Sequence, residues 1–193
     1  RWGHWYGLIE RNALVFTLMA LLAILVGGAV EIIPTVMASN KVPLNITPQM
    51  IAADPALAET AKWVQKPYSP LELAGRDIYI REGCYTCHSQ MIRPFRHEVL
   101  RYGEYSRMEE SLLDHPFQWG SKRTGLDLAR VGGKYDNLWH YLHLSDPRST
   151  SPASNMPTYK HFRTATVNPA SVKHRMSVQA KLGVPYTEQD LAL

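Results

Sequence analysis

Cysteine is scarce in this chain: its 193 residues include only two. Two cysteines cannot build a disulfide scaffold, so the fold must rest on packing. Runs of like charge are missing too. Lys and Arg number 21 against 17 Asp and Glu, and the net charge of +4 is spread rather than clustered. That gives neither a polyelectrolyte tail nor the dense basic footprint of a nucleic-acid binder, and no nucleic-acid partner is expected. Internal repeats and low-complexity tracts are absent. So are a phosphate-cradling glycine loop, a carboxylate dyad and a nucleophile–base pair, and no catalytic residue is expected.

What the chain does have is uneven. Ala13 to Val30 carries no charge, and Thr17 is its one polar side chain. Extended to Ile33, the stretch spans roughly 32 Å as a helix, which matches a bilayer core. It is apolar on every face, unlike a core helix, and longer than the roughly 7–15 apolar residues of a signal peptide. Trp2, Trp5 and Tyr6 suit the interface before it, Pro34 is its expected exit, and Gly27-Gly28 would permit close helix approach. The reading is a short N-terminus over 1–12, a transmembrane helix over 13–33, a proline-rich linker over 34–68 and a soluble domain over 69–193. Arg1 and Arg11 lean toward an N-terminus inside. Ser69-Pro70-Leu71-Glu72 reads as a capping box with proline at the first helical position, opening a helix that ends near Gly83.

Both cysteines follow that end, in EGCYTCHSQ. Cys84, Cys87 and His88 form CxxCH. Zinc would need more ligands than the chain offers nearby; His140 and His143 are too closely spaced for a finger. A thioredoxin-like dithiol would need a βαβ setting, and no strand precedes the site. A plain disulfide would leave His88 without a role. Covalent haem c accounts for every residue of the motif. Cys84 and Cys87 join the two vinyl groups, and His88 ligates iron. In bacteria such attachment occurs outside the cytoplasm, so residues beyond the helix are expected on the periplasmic side of the inner membrane.

The second axial ligand must come from elsewhere. Met156 lies in the proline-stiffened loop SPASNMPTY, 68 residues after His88. His140, His143 and His161 are its rivals. A His/Met pair raises the potential, as delivery to a strong oxidant requires. Between the two ligands, the backbone carbonyl of Leu126 in Gly125-Leu126-Asp127-Leu128 can accept from the His88 ring. Tyr135 and Trp139 can donate to haem propionates, and Arg93 and Arg123 can pair with them.

The stretch from YSPLELAGRDIYIREGCYTCHSQ through IRPFRHE and HPFQWGSKRTG, with DLARVGGKY and SNMPTY, resembles the membrane-anchored mono-haem subunit of cbb3-type cytochrome c oxidase. The resemblance is strong over about residues 68–162. It implies an all-α fold, one N-terminal transmembrane helix followed by a class I cytochrome c domain. It implies Cys84 and Cys87 as attachment sites, with His88 and Met156 as axial ligands. The implied role is to relay electrons from a di-haem cytochrome c subunit, or from soluble cytochrome c, to the haem–copper catalytic subunit that reduces oxygen. Two departures stand out. Class I cytochromes usually have proline where this chain has Leu126. The family also continues to a terminal helix packing on the first haem-domain helix, for which Gly75 and Tyr79 would form the seat. The rival readings are the anchored cytochrome subunit of nitric oxide reductase, a free-standing tethered carrier and an anchored thiol–disulfide enzyme.

Overall fold

The computed structural model describes residues 3–120 and 122–192. Arg1 and Trp2, invoked above for orientation and interface, lie outside the described residues. Every regular element among the described residues is helical. The chain divides into two compact units, Arg1–Asn45 and Ile46–Leu193.

The first unit holds α1 (Gly3–Arg11) and α2 (Ala13–Ser39). Residues Ala13–Met37 of α2 are long and apolar enough to cross a membrane, and none of their most apolar window is buried within the chain. Pro34 does not end the helix as expected; it lies inside α2. A proline interrupts one backbone bond but need not stop a helix whose other hydrogen bonds persist. One such bond, from Asn40 N to Val36 O at 3.1 Å, closes the far side.

The second unit begins with the short helices α3 (Pro48–Ala53) and α4 (Leu57–Ala61), then α5 (Pro70–Arg81). The capping box at α5 is complete: Glu72 N donates to Ser69 Oγ at 3.4 Å, and Ser69 N donates to Glu72 Oε2 at 2.8 Å. After α5 come α6 (Arg96–Tyr102), α7 (Asn137–Ser145), α8 (Pro147–Thr150) and α9 (Pro169–Lys181). Long irregular stretches separate them, and the functional site is built from these.

The core lies where α9 crosses α5. Leu73 and Ala74 of α5 pack on Val172 and Met176 of α9, with Tyr68, Tyr186 and Leu191 around them. Residues 73 and 77 share one helix face, as do 172 and 176. The Arg175–Asp77 ion pair, at 2.7 Å, therefore borders the apolar contact. Asp114, also buried, accepts from Tyr68 Oη at 3.1 Å and Arg76 Nε at 2.9 Å. Gly75, expected to help seat a terminal helix, faces open space, and Tyr79 donates its hydroxyl to His88 O at 2.9 Å. Both lie on a different face of α5 from the one α9 covers.

Met176 reads in sequence as part of a charged helix, yet it is 1% exposed. Met176→Ala should destabilise the domain by about 2–5 kcal/mol. Denaturant unfolding of the full chain in detergent, followed by circular dichroism, measures this. A loss near zero would mean that α9 is not part of the core.

Candidate functional site

Gly83 ends α5 with φ 71°, a left-handed conformation that glycine adopts without a Cβ penalty. The chain then winds into a 3₁₀ turn over Cys84–Thr86. Cys87 N and His88 N both donate to Cys84 O, at 3.1 and 2.9 Å. With about three residues per turn, Cys84 and Cys87 come to the same side, and His88 follows one step on. Neither cysteine is in a disulfide. Burial pushes the Cys84 thiol upward. That keeps it protonated, the opposite of what an activated dithiol needs.

His88 packs against a segment far along the chain. Its Nδ1 lies 2.7 Å from the carbonyl oxygen of Leu126. As a donor to that carbonyl it fixes the tautomer and leaves Nε2 for a metal. Gly125 lies directly against the ring. A Cβ there would come within 2.6 Å of Nδ1 and 2.7 Å of Nε2, so only glycine fits. The two segments are stitched together by backbone bonds, Gly125 N to Cys87 O and Leu128 N to Ser89 O, each 2.8 Å.

Beneath this contact runs a buried polar network that sequence reading did not single out. Ser89 Oγ donates to Asp127 Oδ2 in a short hydrogen bond, and Met91 N donates to the same oxygen at 3.1 Å. Ala129 N reaches Asp127 Oδ1 at 2.9 Å. Arg123 Nε donates to Ser89 Oγ, and its Nη2 to Met91 O and Glu98 Oε2, all at 2.7 Å. Arg93 adds its backbone N to Glu98 Oε2 at 2.8 Å and its guanidinium to Oε1. Arg93 and Arg123, expected to face a haem carboxylate, thus both hold Glu98, a carboxylate of the chain itself. The guanidinium of Arg123, followed by that of Arg93, holds the Glu98 carboxyl down at about 2 against the opposing effect of burial. The available signal was Asp127 between two leucines: a buried acid has to find partners.

The other expected residues lie on α7 and the loop after it. Tyr135 and Trp139 stack with centroids 4.0 Å apart, and His143 stacks on Trp139 at 4.5 Å. Among the described residues no hydrogen bond or ring contact joins this stack to Arg93 and Arg123. His143 Nδ1 lies 2.6 Å from Thr150 Oγ1. Burial, then the imidazoles of His88 and His140, lower its pKa. His161 is exposed, 3.6 Å from Glu82. Met156 is half-buried, its N donating to Ser154 Oγ at 3.2 Å. Three residues on, Tyr159 N donates to Leu144 O at 2.9 Å, so the end of the Met156 loop is tied to α7.

These features fit a haem. Two thiols share one side of a turn, and a histidine has one nitrogen fixed and the other left for iron. Nearby, Leu126, Leu138 and Leu142 expose apolar surface, at 49%, 64% and 39%. An apolar macrocycle needs such surface.

The family described as cytochrome c oxidase, mono-heme subunit/FixO, matches residues 6–192. The chain belongs to this family, which makes it one subunit of an oxidase complex and implies one haem. No curated protein matches it.

Two outcomes follow from the geometry. Gly125→Ala should drive the His88 ring from its seat and cut covalent, low-spin haem about tenfold or more, read by haem-stained gels and visible spectra. An unchanged spectrum would refute the close contact. Glu98 has a lower pKa folded than unfolded, about 2 against 4.5. Its contribution is therefore complete above the ordinary carboxylate range and lost as pH falls from there toward 2. Unfolding measured against pH should show this acid limb, and Glu98→Gln should flatten it.

Proposed function

We propose that the chain is the electron-relay subunit of a cbb3-type oxidase. It carries electrons through one covalent haem c, from a di-haem cytochrome subunit or soluble cytochrome c to the haem–copper subunit that reduces oxygen to water. The observation that carries this reading is the His88 seat. In a family of mono-haem oxidase subunits, a CxxCH histidine rests on a glycine and donates to a carbonyl 38 residues away.

In this reading Cys84 and Cys87 would hold the ring covalently, and His88 Nε2 and the Met156 thioether would supply the iron ligands. Haem supplies a one-electron ferric–ferrous couple when bound. With both ligands supplied by the chain, the subunit would pass electrons and do no oxygen chemistry itself. Met156 is favoured over the histidines because its thioether is engaged by no partner among the described residues, in a loop tied to α7 through Tyr159 N and Leu144 O, whereas His143 is held by Thr150 and Trp139. Tyr135 and Trp139 would donate to the propionates. Arg93 and Arg123 reach Glu98 first, and their part is to brace the segment behind His88. The helix α2 anchors the chain in the inner membrane, with the haem domain on the periplasmic side.

Burial disfavours the Cys84 thiolate, which speaks against a thiol–disulfide enzyme. A spectroscopic test separates the remaining readings. The tagged chain, purified from native membranes in mild detergent, should show a c-type band with b-type bands, a CO-reactive haem and oxygen uptake. Nitric oxide consumption as the main activity would point instead to the reductase, and a c-type band alone to a free-standing carrier. In the Met156→Ala chain the c-type haem itself should bind CO and lose its sulfur-to-iron absorption band. Retention of both wild-type properties would remove Met156 as ligand.

A further inference from the structure

The carbonyl that receives the His88 proton belongs to Leu126. This residue has no ring to fix its φ, and its side chain is 49% exposed, with little packed against it. Something else must hold that peptide. The geometry points to Asp127 as the positioning residue. By clamping the 125–128 segment to the 87–91 segment, it sets the His88–Leu126 hydrogen bond and through it the reduction potential of the haem. This inference rests on the haem reading given above.

The argument starts from connectivity. Asp127 immediately follows the acceptor residue, and its side chain is fully buried. One carboxylate oxygen takes protons from Ser89 Oγ and Met91 N, on the segment that carries His88. The other takes the proton of Ala129 N, on its own segment. A single side chain thus bridges the ligand segment and the acceptor segment. It sits one residue beyond the Leu126 carbonyl and reaches Ser89, one residue beyond His88. Arg123 Nε, 3.4 Å away, balances the charge, and Glu98 holds Arg123 in turn. A buried carboxylate with this many donors resists displacement.

The consequence for the haem follows from ligand chemistry. A firm Nδ1–H···O=C bond increases the basicity of the histidine toward the metal. A more basic ligand favours ferric over ferrous iron and lowers the potential. Loosening the clamp lets the carbonyl drift, weakens the bond and raises the potential. The exposed Leu126 side chain is not needed for any of this; its backbone is what Asp127 holds.

The test uses the full haem-loaded chain in detergent, with two variants. Asp127→Asn removes the charge and exchanges an acceptor for a donor. Ser89→Ala keeps every charge and removes one donor to the clamp together with the acceptor of Arg123 Nε, so it separates positioning from charge and is the milder change for folding. Three quantities are read: the midpoint potential, the exchange rate of the His88 Nδ1 proton by NMR, and the low-spin ferric EPR pattern, which reports ring orientation. Ser89→Ala should speed exchange roughly 3- to 10-fold, as expected for weakening one hydrogen bond. The same factor in ferric preference raises the potential by about 30–60 mV, at 59 mV per tenfold. Asp127→Asn should move all three readings further in the same direction. A potential that moves in Asp127→Asn alone, with proton exchange and EPR pattern unchanged in both variants, would reduce Asp127 to a charge and overturn the proposal. So would no change in any reading. A wild-type chain lacking covalent low-spin haem would overturn the haem reading itself, an outcome visible before any variant is compared.

Discussion

The close approach of Gly125 to the His88 ring is the constraint on which the rest of the site depends. A ring can rest on a backbone only where no Cβ intervenes. That contact needs the 125–128 segment to run against 87–91, which two backbone hydrogen bonds secure. The buried Ser89, Asp127, Arg123 and Glu98 groups then fill the space behind. Ser89 is itself crowded: a Cβ on Gly120 would come within 2.9 Å of its Cα. Two glycines thus permit the two closest approaches around the ligand-bearing segment.

The polar network is costly to assemble. Burying carboxylates and a guanidinium is favourable only when nearly every donor and acceptor is matched. Here Glu98, Asp127 and Arg123 match one another and four backbone groups, the N–H groups of Arg93, Met91 and Ala129 and the carbonyl of Met91. Such a network adds little net stability over an apolar core, but it admits few alternative arrangements. That property suits the proposed electron-relay role, where a small ligand displacement changes the potential and no conformational work is required. The segment between His88 and Gly125 supplies Arg93, Glu98 and Arg123. Its structural part is to brace the segment behind His88.

Local signals were legible wherever a short stretch of chain decides its own conformation. The capping box at Ser69, the helix end at Gly83 and the CxxCH turn all depend on neighbours within a few residues, and all lie where sequence reading puts them. The apolar run over residues 13–33 was equally plain. Its end was not, because proline disfavours a helix without forbidding one, and α2 continues past Pro34. The burial of Met176 was also hidden, since in α9 charged residues surround the two that face α5.

The sequence by itself determined the apolar helix, the capped start of α5, and the identity and local geometry of Cys84, Cys87 and His88. These rest on composition and on contacts four residues long or less, whereas the helical class was implied by the family resemblance. The sequence also offered Leu126 as an acceptor, but as one carbonyl among many. Only the tertiary structure decided that Gly125 lies under the ring, that Asp127 joins two segments 38 residues apart, and that Arg93 and Arg123 converge on Glu98. Pairings at that separation depend on how the intervening chain folds back. No local propensity encodes the path, whereas the need of a buried charge for partners acts only once burial has occurred.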